Sequence, residues 1–269
     1  MGVLNSVIVL SVLGLLFGIG LGFASKKFAV KVDPKVEAIR NVLPGVNCGA
    51  CGFPGCDGFA AACAKGQAPV NGCPVGGAPV ASKVGEIMGS AAGDSRKMVA
   101  RVKCQGTDAI ALDKYKYFGV NDCKAANMVQ GGPKTCSNGC LGLGTCVNVC
   151  EFGAIEIVNG IAKIDKDKCT GCKACIQVCP KTVIELVPYD QKVFVDCNSK
   201  DRGKVVKDSC TLGCIGCSLC AKACPFDAIT MVNNLPVIDY DKCKNCKICA
   251  KKCPTGAITP HLKEAKVAE

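Results

Sequence analysis

The chain has 269 residues, with 25 cysteines, 5% aromatic residues, no tryptophan and a single histidine, His261. One histidine excludes a two-His Rieske centre within the chain and argues against bis-His haem and a Cys2His2 zinc site, and an odd cysteine total fits poorly with a fully paired disulfide framework. The formal charge of +11 counts every thiol as neutral, so it is weak ground for a nucleic-acid partner, and none is expected.

The first predicted element is a helix. Val3–Ala24 is uncharged and almost wholly apolar over 22 residues, about 33 Å of helix and enough to span a bilayer. Lys26, Lys27, Lys31 and Lys35 follow, and no Lys or Arg precedes the stretch. The positive-inside rule then predicts a single-pass anchor in the cell membrane with the rest of the chain in the cytoplasm. A cleaved signal peptide would need a basic n-region and an A-x-A-like site, which are lacking. Gly14, Gly18 and Gly22 form a small-residue stripe suited to packing against another membrane helix.

Residues 33–77 form a compact module with Cys48, Cys51, Cys56 and Cys73-Pro74. Glycines at 49, 52, 55 and 58 let the backbone turn tightly around a cluster and aim amides at sulfur. These four cysteines are the first expected iron–sulfur site. Cys63 lies in an Ala-rich stretch and reads as a small buried residue. Residues 78–133 are expected to be a linker and irregular segment.

The remainder repeats itself. Glu151–Cys179 aligns without gaps on Pro225–Cys253 at an offset of 74 residues. Eight cysteines recur at that offset, from Cys136, Cys140, Cys146 and Cys150 through Cys169, Cys172, Cys175 and Cys179. Their counterparts are Cys210, Cys214, Cys220, Cys224, Cys243, Cys246, Cys249 and Cys253. Each copy predicts a Cys motif, a strand pair, a second Cys motif and a short helix. Alternating apolar runs flank Asn159-Gly160 in one copy and Asn233-Asn234 in the other, which are hairpin signals.

Cys214, Cys217, Cys220 and Cys224-Pro225 make one full cluster motif, and Cys243, Cys246, Cys249 and Cys253-Pro254 the next. Zinc sites usually use paired C-x-x-C units without the third Cys and the Cys-Pro, so a zinc scaffold is only a remote alternative. The pattern resembles the bacterial two-cluster ferredoxins, whose fourth Cys ligates the other cluster. The resemblance implies one set of Cys214, Cys217, Cys220 and Cys253, and another of Cys243, Cys246, Cys249 and Cys224. In the earlier copy it implies Cys169, Cys172, Cys175 and Cys150. The other motif of that copy departs from the pattern, because Leu143 stands where Cys217 stands in the later copy. The expected set is Cys140, Cys146 and Cys179 with Cys136 as replacement ligand, and three cysteines alone would suit [3Fe–4S]. Cys104, Cys123, Cys197 and Cys210 then remain, either for a sixth cluster or as free thiols. About five [4Fe–4S] sites at about −2 each would bring the charge close to neutral.

The whole order, an N-terminal anchor, then "CGACGFPGCDGFA", then ferredoxin repeats, resembles the B subunits of the Rnf ion-translocating ferredoxin:NAD+ oxidoreductases. The resemblance implies an α+β fold with two tandem ferredoxin-like domains, at 134–190 and 205–262, behind a 1–26 anchor. It implies a subunit of a translocase that relays electrons from soluble ferredoxin towards a flavin- and NAD-binding partner, beside integral membrane subunits. The chain itself has no G-x-G-x-x-G after a strand, no P-loop and no ionisable residue in its span, so no flavin, NAD, hydride site or ion path is expected on it. A polyferredoxin-like subunit of another anaerobic hydrogenase or dehydrogenase is the alternative reading.

Overall fold

The computed structural model describes residues 2–28, 33–91, 93 and 96–260. Lys31, His261, the first residue of the expected anchor and the last of the 205–262 unit lie outside the described residues. Helix α1 (Gly2–Lys27) has exposed apolar side chains from Val7 to Phe23. Among the described residues it is the one helix long and apolar enough to cross a membrane. Nothing lies within 4 Å of a Cβ placed on Gly14, Gly18 or Gly22.

Three helices build the first module: α2 (Pro34–Val42), α3 (Gly55–Ala64) and α4 (Gly77–Met88). Helix α2 starts on Asp33, whose carboxylate accepts the Lys35 amide at 2.9 Å, with Pro34 in the first turn. Ile39, Phe59, Cys63 and Val84 bury against one another, with the Phe53 ring edge-on to Phe59 at 5.8 Å. Helix α4 therefore belongs to this module, and the expectation of a linker from residue 78 is corrected: Ala81, Val84 and Gly85 form a buried stripe at helical spacing.

The segment also donates a strand. β1 (Met98–Val102) pairs antiparallel with β4 (Ile184–Pro188), from Met98 opposite Pro188 to Val102 opposite Ile184. Short helices α5 (Cys123–Met128) and α6 (Thr145–Asn148) precede a hairpin of β2 (Ile155–Val158) and β3 (Ile161–Ile164), then α7 (Ala174–Val178). The second copy follows the same plan. β5 (Phe194–Val195) comes first, then α8 (Gly203–Ser209) and α9 (Leu219–Lys222). The hairpin β6 (Ile229–Val232) and β7 (Leu235–Ile238) is followed by α10 (Ile248–Lys252) and β8 (Ile258–Thr259), which pairs with β5.

Both hairpins turn through left-handed pairs, Asn159-Gly160 and Asn233-Asn234, the backbone that a two-residue hairpin needs. Each repeat thus borrows its outer strand from the segment before it, a long-range pairing that the repeat alignment does not contain. Each has its own core. Val99, Val187 and Phe194 pack between them. Arg101 on β1 fastens the two: its guanidinium donates twice to the buried Asp196 carboxylate at 2.9 Å and once to Thr259 Oγ1 at 3.1 Å. It also stacks 4.0 Å from the Phe194 ring centre.

Candidate metal centres

The Cys loops are shaped by backbone conformation. In each of the four repeat motifs the second and fourth residues after the first Cys take positive φ. These are Gly142 and Gly144, Gly171 and Lys173, Gly216 and Ser218, and Asn245 and Lys247. Two left-handed residues curl the chain so that successive sulfurs face one point, and the amides between them turn inward. The irregular motif keeps this loop although Leu143 carries no sulfur. Gly142 is required there, because a Cβ on it would collide with the Gly160 carbonyl.

Four cysteines line each of several small cavities. Cys48, Cys51, Cys56 and Cys73 surround about 20 Å³ in the first module. The Asn47 side chain accepts the Cys56 amide at 2.8 Å, and the Gly76 amide donates to Cys73 Sγ at 3.4 Å. Cys63 lies off this cavity, and its thiol donates to the Ala68 and Pro69 carbonyls. Cys150, Cys169, Cys172 and Cys175 surround another cavity of about 20 Å³. The Ala100 amide of β1 reaches Cys169 Sγ at 3.3 Å and the Ala154 amide reaches Cys150 Sγ at 3.4 Å. Burial pushes the Cys175 thiol up to about 12, and the thiols of Cys169, Cys172 and Cys150 add to the rise.

In the second repeat Cys214, Cys220, Cys249 and Cys253 are buried in one core, with Cys224 and Cys243 at its edge. Burial pushes Cys214 up to about 11, reinforced by Cys220, Cys253 and Cys217. It pushes Cys249 to about 11 as well, reinforced by Cys243, Cys246 and Cys224. The Gln191 side-chain amide donates to Cys243 Sγ at 3.1 Å.

Two cysteines are grouped differently from expectation. The cavity of about 20 Å³ holding Cys140, Cys146 and Cys179 is completed by Cys123, not by Cys136. Cys136 instead lines a cavity of about 30 Å³ with Cys104, Cys197 and Cys210. The cause lies in α5. Leu141 and Leu143 pack with Cys123 and Ala126, so the side chain that replaces the missing ligand docks the helix that carries Cys123. The Cys123 amide donates to Thr145 Oγ1 at 2.6 Å, and that hydroxyl donates to Asp122, the cap of α5, at 2.8 Å. The sequence signal was the Leu143 departure together with an unplaced cysteine upstream.

All 25 cysteines are unpaired, and the quartets fit iron–sulfur ligation: four thiols about one cavity, with amide donors aimed at sulfur. No group of three His, Cys, Asp or Glu among the described residues closes around a single metal ion. A lone tetrahedral zinc would draw sulfurs to about 3.8 Å apart, from its bond length of about 2.3 Å.

Known families match this arrangement. A family model described as "Putative Fe-S cluster" matches residues 43–75, and one described as "4Fe-4S dicluster domain" matches residues 135–183 and 213–257. The chain is 49% identical over 246 residues to the B subunit of the Na+-translocating ferredoxin:NAD+ oxidoreductase complex of Acetobacterium woodii, covering 90% of this chain and 74% of the relative. It is 45% identical to the B subunit of the proton-translocating ferredoxin:NAD+ oxidoreductase complex of Clostridium ljungdahlii, covering 90% and 86%. It is 43% identical to the B subunit of an ion-translocating oxidoreductase complex of Methanosarcina acetivorans, covering 89% and 91%.

Proposed function

Because the chain belongs to the family of B subunits of ion-translocating oxidoreductase complexes, we propose that it is the iron–sulfur electron-transfer subunit of such a complex. It takes electrons from reduced soluble ferredoxin and hands them on towards NAD+ through a flavin- and NAD-binding partner. It is anchored by one membrane span with its bulk in the cytoplasm, and it has no hydride or ion-transport site of its own. The carrying observation is the gathering of four cysteines around one small cavity in the first module and in the first repeat, with backbone amides donating to their sulfurs.

[4Fe–4S] clusters, when bound, accept and release single electrons with little rearrangement. The chain's residues do the rest. Cys48, Cys51, Cys56 and Cys73 hold one, Cys150, Cys169, Cys172 and Cys175 a second, and Cys140, Cys146 and Cys179 most of a third. Cys214, Cys217, Cys220 and Cys253, and Cys224, Cys243, Cys246 and Cys249, hold the fourth and fifth. Amides donate to the sulfurs, and the cysteines range from buried, as Cys140 and Cys249, to exposed, as Cys48, Cys217 and Cys246, so hydrogen bonding and solvent access set the potentials.

Purification of the complex from membranes without oxygen tests this. The chain is expected to copurify with integral membrane subunits and a flavoprotein, with ferredoxin-dependent NAD+ reduction and reducible EPR signals from its own clusters. Copurification with hydrogenase subunits and no such activity would overturn it, as would zinc in place of iron.

A further inference from the structure

The proposed function leaves the cavity around Cys104, Cys136, Cys197 and Cys210 without a role. Its thiols come from both repeats and from the segments before them. Cys104 follows β1, Cys136 opens the first repeat, Cys197 follows β5, and Cys210 ends α8. We propose that these four cysteines hold a further iron–sulfur cluster at the junction of the two repeats, and that Cys123 is the fourth ligand beside Cys140, Cys146 and Cys179. This rests on the reading of the chain as an iron–sulfur carrier.

Several independent features point to a ligand there. The Gly106 and Cys140 amides each donate to Cys104 Sγ at 3.4 Å. The Cys214 amide donates to Cys197 Sγ at 3.3 Å and the Ser199 amide at 3.5 Å. Sulfurs that collect amide donors are prepared to carry negative charge. Charge is also supplied. Lys134 is 3% exposed and lines the same cavity. Its ammonium donates to the Gly106 carbonyl at 2.5 Å and the Gly160 carbonyl at 3.2 Å, with the Asp108 carboxylate 3.9 Å away. A buried ammonium is costly without a counter-charge, and a cubane with four thiolates contributes about −2. Asp196 lines the cavity too, but Arg101 neutralises it.

The cysteine count closes on this assignment. Six quartets take 24 of the 25 cysteines, and the one left is Cys63, bonded to backbone carbonyls. The position is also informative. Cys104 is bonded to the amide of Cys140, a ligand of the first repeat, and Cys197 to that of Cys214, a ligand of the second. The junction quartet therefore touches a ligand loop of each repeat and lies between them.

Native mass spectrometry of the anaerobically purified full-length chain, with iron and sulfide analysis, tests this. About 24 irons per chain are expected, against about 20 for five cubanes. Cys197→Ala and Cys136→Ala should each lose about four irons, and the double variant no more than either alone. Cys123→Ala combined with Cys136→Ala should add their losses, while Cys63→Ala should lose none. Should alanine variants fail to fold, Cys136→Ser and Cys123→Ser should perturb different EPR signals. About 20 irons with Cys197→Ala unchanged, or Cys136 and Cys123 acting on one signal, would overturn the proposal while leaving the carrier reading intact. A chain without iron would overturn both.

Discussion

At the scale of single residues, the side chain of Gln191 shows how the protein adjusts a centre without ligating it. Its amide donates to Cys243 Sγ from outside the Cys motif, while its own carbonyl oxygen is buried without a partner. A hydrogen bond to sulfur stabilises the added negative charge of reduction and raises the potential. Gln191→Leu is expected to lower the potential of the centre proposed at Cys224, Cys243, Cys246 and Cys249 by tens of millivolts. Redox titration followed by EPR would read it, and a shift confined to any other centre would refute the assignment. Such residues were invisible in the sequence, since Gln191 lies 52 positions from Cys243. The cysteines that share a cavity in the first module and around Cys169 were legible because C-x-x-C spacing is local. The cavities that Cys123 and Cys136 line were not legible, because they are set by where α5 docks and by how the two repeats meet.

At the scale of elements, the two sheets that join the repeats are held by a buried ion pair. The Asp196 side chain is fully buried and that of Arg101 is 28% exposed. Removing one partner of such a pair leaves a charge without compensation, at a cost of about 3–5 kcal/mol. Asp196→Ala is thus expected to lower the apparent melting temperature markedly, and Arg101→Lys to do so in part, since lysine cannot bond both carboxylate oxygens. Wild-type melting in Asp196→Ala would show that the sheets need no fastener. Hairpins β2–β3 and β6–β7 were legible from their turn residues. The pairings β1–β4 and β5–β8 were not, because strands separated by a whole repeat leave no local signal.

At the scale of the whole molecule, the repeat cores contain cysteines where a soluble domain would carry aromatic rings. Cys214, Cys220, Cys249 and Cys253 are buried together, and Cys140, Cys146 and Cys175 likewise. The bound metal is then part of the fold rather than an addition to it. Stripping iron with a chelator, under reducing conditions without oxygen, is expected to abolish cooperative melting and amide protection in residues 96–260. Hydrogen exchange of the stripped and loaded chains measures this. A stripped chain protected as well as the loaded one would mean that side-chain packing alone suffices.

Cys136 and Cys210 occupy equivalent positions of the 74-residue repeat, yet they meet in one cavity. Cys123 and Cys197 are a second such pair, 74 residues apart, yet Cys123 lines a different cavity. Equivalent positions of the two copies have thus been put to different uses, and the junction quartet is a property of the pair that neither copy holds alone. Excising either repeat would take one of its four cysteines, Cys136 or Cys210, and leave it incomplete.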